Sequence, residues 1–261
     1  MTPCSWRLDG APNFRDIGGY AAADSTRVRN AHLFRSEALT RLTDADLAIL
    51  ASLNIRLLYD LRGEPERERD PNRWPHASPV ATRSGFDAEA MAAARVSHWR
   101  QRMSDPAFDA QAAHAWMLQA YTDMPTLFAP ALTSLFEQLA APSAPVTLVH
   151  CTAGKDRTGF VCALLLLALG VTRDDVFADY LLTNQRRPPD ALLLALLGDE
   201  FAHLNRGTVA AMRTMARAEE AYLAAAFKTI ERDFGGVDAY LEHTCDLRTE
   251  RRQKLMANLL V

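Results

Sequence analysis

Short apolar runs alternate with longer polar stretches along the chain, and the lengths of these runs predict its secondary structure. Residues 55–62 and 146–149 are rich in Ile, Leu, Val and Tyr, which is typical of buried strands. Residues 158–169 are almost wholly apolar and are followed by Gly170. We therefore expect a helix that ends there and lies buried at the centre of the domain.

Helical patterns separate the predicted strands. Thr43 is a suitable N-cap for a short helix that reaches Leu53, because Asp44 and Asp46 would lie in its first turn. The charged, Pro-containing stretch 63–75 predicts a solvated loop or a short helix. Strands separated by helices favour an α/β fold with helices on both faces of a sheet. Further helices are predicted over residues 88–102, 106–121, 125–139, 173–184, 189–197, 208–233, 237–243 and 249–259.

The composition is that of an ordinary globular protein, and its charge argues against some partners. The 261 residues are 49% apolar and 23% charged, without repeats or obvious linkers, so we expect a single domain over residues 1–261. The net charge of -3 gives no overall basic field for nucleic acid or an anionic membrane. A local basic pocket remains compatible with it.

The sequence contains no segment with the pattern of a cleaved signal peptide or of a membrane-spanning helix. The first ten residues lack a basic start followed by an apolar stretch, and the longest apolar run, 159–171, is too short to cross a bilayer. A reducing cytoplasm is the expected location, with export by a route without a cleavable signal left open. The wide, irregular spacing of the four cysteines favours neither a disulfide framework nor a zinc site: Cys4, Cys151, Cys162 and Cys245.

Residues 150–159, with the sequence His-Cys-Thr-Ala-Gly-Lys-Asp-Arg-Thr-Gly, connect the second predicted strand to the apolar helix. A loop that closes onto a helix N-terminus gathers backbone N–H groups around one point and forms an anion site. Gly154 and Gly159 allow the backbone to approach an oxyanion closely. Arg157 lies six positions after Cys151, and its planar fork is suited to binding two phosphate oxygens at once.

Cys151 is the predicted nucleophile, because the loop amides, the helix dipole and Arg157 all favour its thiolate form. Attack of this thiolate on a phosphate monoester would give a phosphocysteine, which water would then hydrolyse. Thr158 would donate a hydrogen bond to the sulfur in the second step, and His150 would orient the loop by hydrogen bonds. Cys162, inside the apolar helix, is expected to be a small core residue.

The loop resembles the signature of the protein tyrosine phosphatase superfamily. Its Gly-Lys-Asp-Arg-Thr-Gly ending is similar to that of the bacterial tyrosine-protein and phosphoinositide phosphatases. The resemblance covers nearly the whole chain and is weakest over residues 85–121, where no motif matches. The other blocks that resemble this family follow in the expected order, at residues 13–19, 34–36, 60–62, 179–184 and 235–241.

This resemblance implies a tyrosine phosphatase fold, with a central, mostly parallel sheet flanked by helices, and a mechanism without metal or cofactor. Cys151 would be the nucleophile, Arg157 the phosphate binder and Thr158 the partner of the leaving sulfur. The expected substrate is phosphotyrosine in proteins, with phosphoinositide or dual specificity as the alternative. Residues expected to bind the substrate are His150, Thr152, Ala153, Gly154, Lys155, Thr158, Gly159 and Arg62.

Two aspartates are candidates for the general acid that protonates the leaving oxygen. Asp60 ends the first predicted strand, where side chains emerge beside a central loop, but it is equally suited to a structural ion pair with Arg35 or Arg62. Asp156 lies within the loop and is preferred, because the sequence fixes its place beside the phosphate. Its alternative role is an ion pair that stabilises the loop.

The surroundings of the loop leave alternatives open. Arg15, Arg35 and Arg62 either line the pocket or are solvated surface charges. Lys155, within the loop, is placed to hold a second phosphate and so to admit phosphoinositides. Residues 85–121 form either a helical lid over the pocket or ordinary amphipathic helices.

Two other functional classes compete with an active phosphatase. A sulfurtransferase or an arsenate reductase also uses a cysteine in an anion loop. The Arg-Thr-Gly ending argues against the former, and arsenate reduction needs resolving thiols, for which the sequence offers only Cys162 nearby. A phosphate-binding module without catalysis would usually have lost Cys151 or Arg157, and the chain has both.

Overall fold

Five short strands form the sheet on which the fold is built. The computed structural model describes residues 6–75, 80–84 and 108–261. Within these ranges the strand order is β1-β2-β5-β3-β4; β1 is antiparallel to β2, and the other neighbours are parallel. The strands are β1 Arg15–Asp16, β2 Leu33–Ser36, β3 Leu57–Asp60, β4 Ala81–Ser84 and β5 Thr147–His150.

Helices cover the sheet and make up most of the remaining chain. Short 3-10 turns occur at Ala23–Ser25 and Gly198–His203, and a π-helical turn at Tyr240–Thr244. None of the helices in the described ranges combines the length and apolarity that a bilayer crossing requires. The helices are α1 Asp44–Ser52, α2 Glu64–Arg69, α3 Ala110–Leu139, α4 Asp156–Ala168, α5 Arg173–Arg186, α6 Pro189–Leu197, α7 Arg206–Ala216, α8 Glu220–Phe234, α9 Val237–Ala239 and α10 Thr249–Leu259.

The strands alternate between two apolar clusters on opposite faces of the sheet. Leu57 and Tyr59 of β3 face the larger cluster, which contains buried residues of α3, α4 and α8. Leu58, between them, faces a smaller cluster that includes Leu50 of α1. This period of two, with helices on both faces, is that of a buried parallel sheet. The predicted α/β fold with a mostly parallel sheet is confirmed.

Several element boundaries follow the local signals in the sequence. Thr43 caps α1, because its hydroxyl accepts a hydrogen bond from the Asp46 amide and the Asp46 carboxylate binds the Thr43 amide in return. Helices α6 and α10 have the predicted bounds. Gly170 follows α4 with a φ of 83°, the left-handed conformation expected of a C-terminal glycine.

Tertiary contacts override other boundary predictions. Residues 106–121 and 125–139 were predicted as separate helices, but 110–139 form one 30-residue helix that contains Pro125 and Pro130. An interior proline costs about 3 kcal/mol, and the fully buried Phe128 and Leu132 on the same helix offset this cost by packing. β1, β2 and β4 had no predicted counterpart.

The helix predicted over residues 208–233 is interrupted between α7 and α8. Asn184 binds the backbone of Ala218 through both ends of its amide, at 2.8 Å in each case. These bonds hold an extended segment, in which Arg217 has a ψ of 139°, and so separate the two helices. The local sequence does not indicate this break, because Asn184 lies 34 residues from Ala218.

Candidate active site

The loop that joins β5 to α4 lies at the carboxyl edge of the sheet. His150, the last residue of β5, is paired with Ser36 of β2 on one side and with Asp60 of β3 on the other. The carboxyl ends of three parallel strands therefore meet at the base of the loop. This edge is where α/β sheets generally bind ligands.

A cavity of about 190 Å³ opens above the loop. Its polar side contains the sulfur-bearing Cys151, which is only 2% exposed, together with Lys155, Asp156 and Arg157. Thr152 and Ala153 of the loop also line the cavity, as do Glu66 and Arg69 of α2. α4 begins at Asp156, and the side chain of its N-cap, Lys155, forms no capping bond. The first N–H groups of α4 thus remain available to an anion.

Gly154 allows the loop to pack directly against β2. Its φ is 64°, and a Cβ atom there would lie 2.5 Å from the backbone oxygen of Ser36. Gly159, in the first turns of α4, is also constrained, because a Cβ atom would lie 2.8 Å from the ring of Tyr180. The two glycines of the motif therefore permit close packing around the loop rather than flexibility.

A buried ion-pair network supports the loop from below. Asp179 of α5 binds Arg15 at 2.8 Å and Arg35 at 2.5 Å, and Arg35 also donates to the carbonyl oxygen of Gly154 at 2.9 Å. Burial raises the pKa of Asp179, but the two guanidinium groups outweigh it and lower the pKa to about 2. Asp179 is therefore an anion that fixes both arginines.

Asn13 extends this network to the backbone of the loop. Its amide donates to the carbonyl oxygens of Ala153 at 3.2 Å and Gly154 at 3.0 Å, while its own oxygen accepts from Arg15 at 2.5 Å. Arg15 and Arg35 neither line the cavity nor are solvated, so both readings of these arginines were wrong. The blocks at residues 13–19, 34–36 and 179–184 instead converge beneath the loop.

Asp60 is buried away from the cavity. Both of its oxygens bind the guanidinium of Arg62, at 3.0 Å and 2.8 Å, and one also accepts a bond from Asn72 at 3.2 Å. Burial raises the pKa of Asp60, but the bonds from Arg62 and the neighbouring His150 lower it below its usual value. Asp60 therefore forms the structural ion pair with Arg62 and does not lie where a general acid would need to be. Arg62, expected to bind substrate, is also buried in this pair and does not line the cavity.

His150 is fully buried, and it too lies outside the cavity lining. Burial is the main cause that lowers the pKa of His150 to about 4, so its imidazole is neutral at physiological pH. One ring nitrogen lies 3.4 Å from the carbonyl oxygen of Cys151 and the other 3.2 Å from the amide of Asn72. These contacts suit orientation of the loop rather than direct binding of substrate.

Glu66 of α2 is a site residue that the sequence did not reveal. Its two carboxylate oxygens bind Arg157 at 2.6 Å and 2.8 Å, and Thr152 donates to one of them at 2.5 Å. Arg157 also donates to the carbonyl oxygen of Leu61 at 3.1 Å. Burial raises the pKa of Glu66, but the bonds from Arg157 outweigh this and lower it to about 2. The only local signal was the acidic first turn of a short helix after Gly63.

Asp156 and Lys155 interact with each other at the edge of the cavity. The ammonium of Lys155 lies 2.5 Å from Oδ1 of Asp156 and 3.2 Å from the carbonyl oxygen of Arg217. The same Oδ1 accepts a hydrogen bond from Tyr121 at 2.8 Å. Of the two aspartates considered for the acid, only Asp156 lines the cavity.

The hydroxyl of Thr158 is fully buried, and within the described residues it has no hydrogen-bond partner. Its bond to the sulfur of Cys151, predicted for the second step of the reaction, stays a prediction. The hydroxyl is left with an unused donor, which is uncommon for a buried polar group.

The opposite side of the cavity is apolar. Leu192 and Leu193 of α6 and Met212 of α7 form a separate cluster that packs against Ala153. Met117 of α3 also lines the cavity. The sequence left open whether residues 85–121 form a helical lid or ordinary amphipathic helices, and residues 85–107 lie outside the described residues. The described remainder belongs to α3 or directly precedes it.

Comparison with known proteins agrees with this geometry. The model of the tyrosine phosphatase family matches residues 6–261. The chain is 36% identical over 265 residues to the triple specificity protein phosphatase PtpB of Mycobacterium tuberculosis, covering 90% of this chain and 91% of that protein. It is 33% identical over 247 residues to a Cupriavidus necator protein provisionally named as a tyrosine-protein phosphatase, covering 92% and 84% respectively. The chain therefore belongs to the tyrosine phosphatase family.

Proposed function

We propose that this enzyme hydrolyses phosphotyrosine in proteins through a phosphocysteine formed on Cys151. The observation that carries the proposal is that Cys151, Arg157 and Asp156 line one cavity at the N-terminus of α4. A nucleophile, a phosphate binder and an acid thereby surround the same small volume. Arg157 and the loop amides neutralise the phosphate dianion as it binds.

In the first step the thiolate of Cys151 attacks phosphorus. An S–P bond forms as the P–O bond to the leaving group breaks, and a protonated Asp156 gives its proton to the leaving oxygen. In the second step the Asp156 carboxylate takes a proton from water, whose oxygen attacks phosphorus and displaces the sulfur. Inorganic phosphate is released, and the thiolate and the protonated acid are restored. The unpartnered hydroxyl of Thr158 is available to the departing sulfur.

The apolar side of the cavity supports an aromatic leaving group. Leu193 and Met212 line the same cavity as the loop and would contact the ring of phosphotyrosine. Phosphoserine offers no comparable apolar surface. A phosphoinositide headgroup is the second candidate substrate, because Lys155 lines the cavity and its positive charge suits a second phosphate.

We further propose that the enzyme acts in a reducing compartment, the cytoplasm being the simplest. Cys151, Cys162 and Cys245 are all free and buried. Burial raises the pKa of both Cys162 and Cys245 to about 12, so neither is a thiolate at neutral pH. With Cys151 as the nucleophile, a reducing compartment preserves the thiol on which activity depends.

Hydrolysis of 4-nitrophenyl phosphate in the presence of a chelator tests the mechanism. We expect the wild type to be active, Cys151→Ser to be inactive, and the control Cys162→Ala to keep its activity. Trapping with acid should recover labelled phosphate on the wild type but not on Cys151→Ser. Persistent hydrolysis by Cys151→Ser would contradict the proposal, and an inactive wild type that binds phosphate would favour a binding module. A panel of phosphotyrosine peptides, phosphoserine peptides and phosphoinositides then ranks the substrates.

A further inference from the structure

Two buried tyrosines connect the core of the fold to the proposed acid. Tyr121 of α3 donates a hydrogen bond of 2.8 Å to Oδ1 of Asp156, and its hydroxyl lies 2.7 Å from that of Tyr180 on α5. Both tyrosines are at most 1% exposed. None of the motif blocks in the sequence includes Tyr121, so the resemblance gave no reason to expect it at the site.

The direction of these bonds follows from the number of hydrogens. A tyrosine hydroxyl has one hydrogen, and that of Tyr121 points to a carboxylate, which only accepts. Tyr180 must therefore donate to Tyr121, which gives a chain of donors directed at Asp156. Burial raises the pKa of both tyrosines well above its usual value, and the charge of Asp156 raises it further. Both hydroxyls remain protonated and act as donors throughout the working pH range.

The described hydrogen bonds of Asp156 all meet at one of its oxygens. Oδ1 accepts from Tyr121 and from the ammonium of Lys155. An oxygen whose lone pairs already accept two donors is a poor site for a proton. The proton of the acid form therefore belongs on Oδ2, and Asp156 borders the cavity in which the leaving group must lie.

We propose that Tyr121, supported by Tyr180, is a positioning residue that holds Oδ1 of Asp156 and directs Oδ2 to the leaving oxygen. This inference rests on the proposed function, because it takes Asp156 as the acid. The residue acts through Asp156 and does not touch the substrate phosphate. Its effect should therefore appear only where the leaving group needs a proton.

A purely structural role of the tyrosine pair makes a different prediction. The Tyr180 ring packs against Gly159, and the Tyr121 ring lies 5.8 Å from that of Tyr222. Loss of packing alone would lower the melting temperature or slow every substrate equally. Loss of positioning would slow substrates with a poor leaving group more than substrates with a good one. The two roles can therefore be distinguished by experiment.

The test compares two aryl phosphates in Tyr121→Phe, which removes only the hydroxyl. 4-Nitrophenolate leaves readily without a proton, whereas phenolate does not. We expect kcat/KM for phenyl phosphate to fall about tenfold or more, a part of the 10²–10⁴-fold that an acid contributes. For 4-nitrophenyl phosphate we expect a change below about twofold. Asp156→Asn should show the same discrimination more strongly, and adding Tyr121→Phe to it should cost little more.

Matched variants separate the possible outcomes. Tyr59→Phe removes a hydroxyl that is equally buried and also binds α3, at the carbonyl oxygen of Ala131, but lies in a different network. It should leave the ratio of the two substrates unchanged. Tyr180→Phe removes only the hydrogen bond from Tyr180 to Tyr121 and should change the ratio of the two substrates less than Tyr121→Phe does. This variant keeps the test valid if Tyr121→Phe is unstable.

An unchanged substrate ratio in both Tyr121→Phe and Tyr180→Phe would overturn the inference. If Cys151→Ser is still inactive and Asp156→Asn still discriminates between the substrates, the proposed function stands without it. If Asp156→Asn does not discriminate either, the assignment of the acid fails and this inference fails with it. The phosphocysteine on Cys151 would be unaffected by that result.

Discussion

The carboxylate of Glu66 grips the guanidinium of Arg157 through both of its oxygens, at 2.6 Å and 2.8 Å. The two Nη atoms make these bonds and also contact Leu61 and Thr152, whereas Nε takes part in none of them. Glu66 thus holds one edge of the planar group, and the phosphate of the proposed substrate would bind at the edge that contains Nε. Bidentate pairs of this kind fix orientation as well as charge.

We predict that Glu66→Gln lowers kcat/KM about tenfold, because one charge-assisted bond that orients Arg157 is lost. Steady-state kinetics and inhibition by vanadate would measure the effect, and both should weaken together. Glu64→Gln, on an exposed residue of the same helix, is the control and should have no effect. Higher activity in Glu66→Gln would mean that Glu66 competes with phosphate for Arg157 and does not position Arg157 for binding.

Glu66 should also make the folded state sensitive to acid. Its pKa is lowered from 4.5 to about 2 on folding, so its stabilising effect is complete above pH 4.5 and is lost as the pH falls towards 2. The free energy of unfolding of Glu66→Gln should therefore decline less than that of the wild type over this interval. Denaturant titrations at several pH values would measure the difference. Parallel curves for the two proteins would contradict the ion pair.

Removal of Asp179 should strongly destabilise the fold. Asp179→Asn leaves Arg15 and Arg35 buried without their counter-charge, a change that typically costs about 3 to 5 kcal/mol. Chemical denaturation would measure this loss. Asp190→Asn breaks the exposed pair with Arg213 and should leave the unfolding midpoint almost unchanged. Equal effects of the two variants would refute the structural role of the network.

Substitutions of Asp60 and Asp156 should have different effects on substrate preference. Asp60→Asn should lower stability by weakening the pair with Arg62 but keep the wild-type preference between phenyl and 4-nitrophenyl phosphate. Asp156→Asn should instead lose phenyl phosphate hydrolysis selectively. A pH–rate profile of both variants gives an independent check. Deprotonation of the general acid should lower the rate. If this part of the pH–rate profile disappears in Asp60→Asn alone, the assignment of Asp156 is wrong.

Lys155 should distinguish substrates with one phosphate from those with two. Lys155→Met should reduce hydrolysis of a phosphoinositide with a second phosphate by about tenfold more than hydrolysis of 4-nitrophenyl phosphate. The ratio of the two rates is the relevant measurement, because Lys155 also binds Asp156 and its loss affects both. Equal losses would remove the support for a second phosphate site.

The loop was predictable because its chemistry is contiguous. Strand, glycine-rich turn, cysteine, arginine and apolar helix follow one another within residues 146–169, and each signal is local. Helix α1 was predictable for the same reason, since Thr43 and Asp46 cap it across three residues.

Residues whose roles depend on distant partners could not be predicted. Glu66 lies 91 positions from Arg157 and occurs in a charged stretch that resembles a solvated surface. Arg35 looked like a surface or pocket charge, but its partner Asp179 is 144 positions away. Pro125 suggested the start of a new helix, because the cost of an interior proline is local whereas the packing that offsets it is tertiary.

Asp179 and Tyr180 are consecutive residues of α5, yet they serve different parts of the site. Asp179 anchors the arginines under the loop, and the hydroxyl of Tyr180 meets Tyr121 behind the acid. A shift of this one helix would displace both the proposed phosphate-binding loop and the proposed acid, Asp156. Compounds that wedge α5 away from α4 would therefore impair substrate affinity and turnover simultaneously, without entering the cavity.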